Sequence, residues 1–288
     1  MESSSGIKTE IKKGLRPTPK DKRDISFGAV FSLSKLEELP KEFSIGESEI
    51  LDQQDTDYCS GYATCAASAF QELKTLHPVW SFAVSKMISG DIDDWGQNLR
   101  DALKAHTKFG AIPITLFEVN FDSKYRDIKN FPDFFDTAVY HKKQSYFKVD
   151  SGNVFDDIRL ALYANREEKW AVITGVLWRT SWLYAPSGII PKLILDNSGF
   201  GHAFIITGWK EIAGEPYLVA QLSNGTDIGD KGKFYFPRQV VNREFTYGAY
   251  TFKDISSEEA KKRGWNVWIK ILNFLQEWNI FKIWRIGK

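Results

Sequence analysis

The spacing of apolar residues changes character part-way along the chain, and that change limits the fold more than any other feature. From Asp57 onward, Tyr58, Tyr62, Cys65, Ala66 and Ala69 recur at intervals of three and four, as on a helix with one buried face. Asp57 or Thr56 is placed to cap it. Leu99, Ala102, Leu103 and His106 share the face of a second helix over 99–108, stopped by Gly110 and Pro113. Past residue 140 the pattern turns: a short helix over 154–163 leads into the apolar, β-branched segment 170–178, which reads as a buried strand. Further strands over 203–209 and 217–222 flank 210–216, whose Ala-Gly-Glu-Pro has the chemistry of a hairpin turn. The expected architecture is α+β and two-lobed, with a helical lobe at about 45–140 and a β-rich, barrel-like lobe at about 141–254 forming one domain over 25–254. No internal repeat is present, which sets aside solenoids and propellers.

The flanks read differently. Residues 1–24 carry Ser, Lys and Pro with little periodic apolar content, the signature of a flexible N-terminal arm. They hold no apolar run of signal-peptide length, so a cytoplasmic address is expected. At the other end, Ser256 and Glu259 form a capping box, and thirteen of the twenty residues 265–284 are apolar, which predicts an amphipathic, basic-flanked helix over 255–288. Lys270, Glu277 and Lys282 interrupt that run too often for a spanning segment. Two destinations stay open for it, packing on the body of the chain or peripheral docking on an anionic membrane or a partner protein.

Lys plus Arg is 38 against 37 for Asp plus Glu, so the balance supplies no general attraction to nucleic acid. A phosphate-binding glycine loop, a Cys/His metal cluster and a paired-carboxylate site all lack candidates, and no cofactor or metal is expected. The two cysteines, Cys59 and Cys65, are six residues apart on one helix and point in different directions, so they cannot bridge.

Cys59 lies in the first turn of its helix, where unpaired amides and the positive end of the dipole favour a thiolate. Cys65 is nearly two turns further in among alanines, a packing position. Of four histidines, His77 precedes Pro78 in an expected loop, His106 faces the core, and His141 sits in a Lys-rich, solvated stretch. His202 follows Gly199-Phe200-Gly201 and opens an apolar strand, which would hold its imidazole at the mouth of a rigid element. A histidine there serves structure as readily as chemistry; its partner decides.

Gln53, then Cys59 six positions later, then Ser60, Tyr62 and Ala63 resemble the nucleophile segment of papain-like cysteine peptidases, and Gly201-His202-Ala203 with the following Phe-Ile-Ile-Thr-Gly-Trp resembles that family's histidine strand. Weaker, collinear matches extend the likeness over about 40–240. The resemblance implies a papain-like fold and peptide-bond hydrolysis through a Cys59–His202 pair, with Cys59 of depressed pKa and His202 charged. It assigns the oxyanion hole to Gln53 and the Cys59 amide, with Gln54 as the neighbouring alternative. The family's orienting asparagine has no plain counterpart: without gaps the position falls on Leu222, which cannot orient an imidazole, and with two residues deleted it falls on Asn224, the reading adopted. Residues 19–24 resemble the short leader of the family's unprocessed microbial branch, implying that processing is not required. Two other readings remain open: an amidase or transferase using the same pair, and a catalytically weak peptide-binding module. The partner expected on the main reading is a peptide or protein substrate.

Overall fold

The computed structural model describes residues 14–254 apart from 150, 151, 194, 195, 197 and 198. The amphipathic pattern of 255–288 and residues 1–13 of the N-terminal arm therefore lie outside the described residues.

The first half is built on three helices: α1 (Cys59–Glu72), α2 (Pro78–Ser89) and α3 (Leu99–Lys108). The α3 boundaries agree with the periodicity, and Asn98 caps the helix by accepting from the Asp101 amide at 3.0 Å. Helix α1 starts at Cys59 with Tyr58 as N-cap and no side-chain cap, so neither Asp57 nor Thr56 fills that role. The expected loop around His77 is instead a helix start. The His77 imidazole accepts from the Trp80 amide at 3.1 Å, Pro78 occupies the first turn, and Gly90 closes α2 with positive φ. Helices α1 and α2 approach so closely that a Cβ on Gly61 would strike the Pro78 carbonyl.

Strand β1 (Phe43–Ser44) precedes the helices, and after the one-turn α4 (Phe135–Ala138) the chain enters its sheet. The strands are β2 (Lys143–Lys148), β3 (Val172–Trp178), β4 (Phe200–Ile212), β5 (Glu215–Gln221), β6 (Lys233–Pro237) and β7 (Ala249–Asp254), with α5 (Val154–Ala164) and α6 (Arg238–Glu244) between them. The order is β2-β7-β3-β4-β5-β6, antiparallel at every step, with β1 added to β4. The hairpin turn is only Ala213-Gly214, both with positive φ, so β4 and β5 run longer than their apolar content suggests. From Phe200 to Trp209 β4 is buried throughout, the environment of a central strand, and it packs against α1. The α+β class and the helix-then-sheet order agree with the sequence reading.

Two expectations change. Residues 14–24, read as arm, fold onto the body: Leu15 is buried in the core, and Arg100 pairs with Asp24 at 2.5 Å and donates to the Pro19 carbonyl. His141 is not solvated either. It pairs with Glu72 alongside the fully buried Lys143, whose ammonium lies 2.6 Å from the other Glu72 oxygen.

Candidate active site

Cys59 is the first residue of α1, and His202 is the third of β4, inside the strand rather than at its mouth. Helix α1 packs against β4. The Ala203 amide, adjacent to His202, lies near the Cys59 sulfur, as do the Cys59 and Ser60 amides. These three donors favour a thiolate, as expected of a helix start. The His202 ring lies edge-on to Trp178 with centroids 5.7 Å apart, so an indole from β3 walls one side of the site.

The third candidate, Asn224, lies in the turn after β5. Asn224 forms a β-bridge with Asp52, and its side chain approaches the imidazole closely enough to favour protonated His202, without the alignment of a full hydrogen bond. Leu222 instead sits in the hydrophobic core, its amide donating to the Gly232 carbonyl at 3.0 Å. Gln53 is fully buried, whereas Gln54 is exposed in a positive-φ turn. The Gln53 Oε1 accepts from Ser223 Oγ at 2.8 Å and Nε2 donates one proton to the Thr56 carbonyl at 2.9 Å. A primary amide has two N–H donors, which leaves one to offer.

Several neighbours were not legible in the chain. The Asp57 carboxylate accepts from the Gly96 amide at 2.5 Å and from Arg126 at 2.9 Å, locking the loop before α3 to the start of α1. Most consequential is the segment Gly14-Leu15-Arg16. The Gly14 and Leu15 amides both donate to the Gly201 carbonyl, at 3.2 and 3.0 Å. Gln97 donates to the Gly14 carbonyl at 2.9 Å and accepts from the Arg16 amide at 3.0 Å, a short parallel bridge. A Cβ on Gly14 would lie 2.7 Å from the Cys59 sulfur and 2.5 Å from the Asp57 carbonyl. Nothing in the composition of 1–24 singles out this contact.

The segment covers the thiol, and the electrostatics follow. Cys59 is fully buried, and loss of solvent pushes its thiol up to about 12, outweighing the three amide donors. Burial likewise pulls His202 down to about 4 despite Asn224. The expected ion pair, a depressed thiol beside a charged imidazole, is therefore corrected: with the segment in place both groups are neutral. Cys65 is also buried, 3.2 Å from Ser81 Oγ, and its thiol is raised to about 12, in keeping with a packing role. His106 pairs with Ser68 at 3.4 Å and stacks on Phe252, away from the cleft chemistry.

Among the described residues no group of three or more His, Cys, Asp or Glu side chains is arranged to hold a metal ion, and no helix is long and apolar enough to cross a membrane.

No protein-family model and no curated protein matches the chain. Among solved structures it is similar to xylellain, a cysteine protease from Xylella fastidiosa, with TM-score 0.69 and 20% identity over 85% of this chain and 96% of that one. Procathepsin B from Trypanosoma congolense gives TM-score 0.64 and 15% identity, covering 84% of this chain and 87% of that one. Bromelain from Ananas comosus gives 0.58 and 13%, covering 75% of this chain and all of that one. The chain has the fold of the papain-like cysteine proteases.

Proposed function

We propose that the protein is a cysteine-type peptidase that hydrolyses peptide bonds in peptide or protein substrates, with Cys59 as nucleophile and His202 as base. The observation that carries this reading is the Cys59 sulfur at a helix start with the amide of Ala203, next to the candidate base, beside it. Once the cleft opens to solvent, burial no longer opposes charge separation, and the three amides and the helix dipole favour thiolate beside imidazolium. The thiolate then adds to the scissile carbonyl while the remaining Gln53 N–H and the Cys59 amide receive the oxyanion. His202 gives its proton to the leaving amine as the acyl-enzyme forms. It next takes a proton from water, which attacks the thioester and frees the acid and the thiol. Asn224 holds the imidazole in orientation for both transfers.

The two unpaired cysteines support a reducing, cytoplasmic compartment. The apolar and basic pattern of 255–288 supports peripheral docking of that segment on an anionic membrane or a partner protein.

Cleavage of a mixed-sequence peptide pool tests the reading, followed by mass spectrometry for the natural chain, Cys59→Ala, and a Gly14→Val variant that displaces the covering segment. New peptide termini that vanish with Cys59→Ala are expected. Failure of both the natural chain and Gly14→Val to cleave any peptide would argue against a peptidase.

A further inference from the structure

We infer that residues 265–284 seat their apolar side chains in a groove at the far end of α1, so that the chain holds its own C-terminal segment against its body. The surface lies away from Cys59, and the inference does not depend on the peptidase reading. Three observations support it.

The groove consists of two adjoining depressions of about 440 and 280 Å³ that share Phe70, Leu73 and Lys169, with Trp170 lining the larger. It sits at the C-terminal end of α1, about 20 Å along the helix from Cys59. Leu73 is 83% exposed, more than any other large apolar side chain among the described residues. It also closes α1 in the left-handed region, with φ 52°. Gly90 closes α2 in the same way without a side chain to expose. A leucine at such a position bears both backbone strain and contact with water, and a covering segment removes the second.

The described chain ends at this groove. Lys253 and Asp254 line the larger depression, so residue 255 leaves from its rim. Ten residues, 255–264, then precede the apolar run. Fully extended they span up to about 35 Å, enough to bring the run back over Leu73. A tether of this length also holds the segment at an effective concentration of about millimolar, so modest contacts suffice.

Charge matches as well as polarity. Five acidic side chains, among them Glu167, Glu168 and Asp254, line the groove against three basic ones. Residues 255–288 carry seven Lys or Arg against three Glu, and thirteen of the twenty residues 265–284 are apolar. The apolar side chains cover Leu73 while the basic ones face the acidic rim. The same apolar side chains would enter a membrane, so groove and membrane compete for one segment.

Amine cross-linking of the full chain tests the seat. An equal mixture of ¹⁵N-labelled and unlabelled protein is treated with an amine-reactive cross-linker, and links from Lys74 or Lys169 on the groove to Lys270 or Lys282 are mapped by mass spectrometry. Links within one isotopic chain are expected. Leu73→Glu should reduce them roughly tenfold, as for loss of one buried leucine contact. Glu167→Arg combined with Glu168→Arg reverses the rim without adding an amine, and should reduce them about two- to fivefold. Absence of these links in the natural chain, or links unchanged in both variants, overturns the seat. Links that join labelled to unlabelled chains overturn it in favour of a second copy. Binding of the natural chain to phosphatidylserine vesicles as tight as that of Leu73→Glu overturns it in favour of a segment free for the membrane.

Discussion

Gln53 and Ser223 are joined twice: the Gln53 amide donates to the Ser223 carbonyl at 2.8 Å, and the Ser223 hydroxyl donates to Gln53 Oε1 at the same distance. The first stretch of the helical lobe is thereby tied to the loop that carries Asn224. One hydroxyl thus fixes the amide that would receive the oxyanion and steadies the residue beside the base. Ser223→Ala is expected to lower kcat/KM about three- to thirtyfold, mostly in kcat, while costing about 1 kcal/mol of stability. Steady-state kinetics beside urea unfolding checks both, and an unchanged kcat would mean that Gln53 needs no such support.

The two cysteines should separate cleanly. Cys59→Ala is expected to cut cleavage by more than about a thousandfold. Cys65→Ser should keep turnover within about threefold and cost about 1 kcal/mol, since the new hydroxyl inherits the Ser81 partner. Peptide hydrolysis by each purified variant decides, and a catalytic loss at Cys65 would contradict its packing role.

Asn224 and Leu222 offer a contrast within three residues. Asn224→Ala is expected to reduce kcat/KM about ten- to a hundredfold with little change in melting temperature, as for a group that only orients a base. Leu222→Ala removes a core side chain and should cost about 2–4 kcal/mol, with turnover per folded molecule preserved. Kinetics and thermal melts on both variants distinguish the assignments. The opposite pattern would return the role to the region of Leu222.

Stability should fall in mild acid. Burial holds His77 down to about 4, His106 to about 3 and His202 to about 4, against an ordinary value of 6.5 that each regains on unfolding. Below 6.5 the unfolded chain binds protons that the folded chain refuses, so stability is complete above that value and drains away as pH falls toward 4. With three such imidazoles the slope approaches about 4 kcal/mol per pH unit. Urea midpoints between pH 7.5 and 5 measure it, and His106→Gln should remove about one proton from the slope. A flat profile across this window would show that these rings are charged in the folded chain.

Much of the fold was readable because it follows from local periodicity. Helix α3 is amphipathic with a capping Asn98, and the buried strands at 172–178 and 200–212 carry continuous apolar or β-branched runs. Helix α2 was missed because its residues, nearly all buried, show no polar face, although His77-Pro78 and Gly90 mark its ends. His141 misled for the opposite reason: the charges around it are those of a buried network with Glu72 and Lys143.

By itself the sequence determined the α+β class, the order of helices before sheet, and the identity of Cys59, Gln53 and His202 as candidates, since each is defined by residue type and near neighbours. Only the tertiary structure decided that Asn224 rather than Leu222 faces the imidazole, that Asp57 locks a loop instead of capping a helix, and that Gly14 lies on the sulfur. These depend on which groups meet across tens of residues, and with them comes the solvent exclusion that leaves Cys59 and His202 neutral. A thiol's charge depends on the water and donors around it, and packing brings those together.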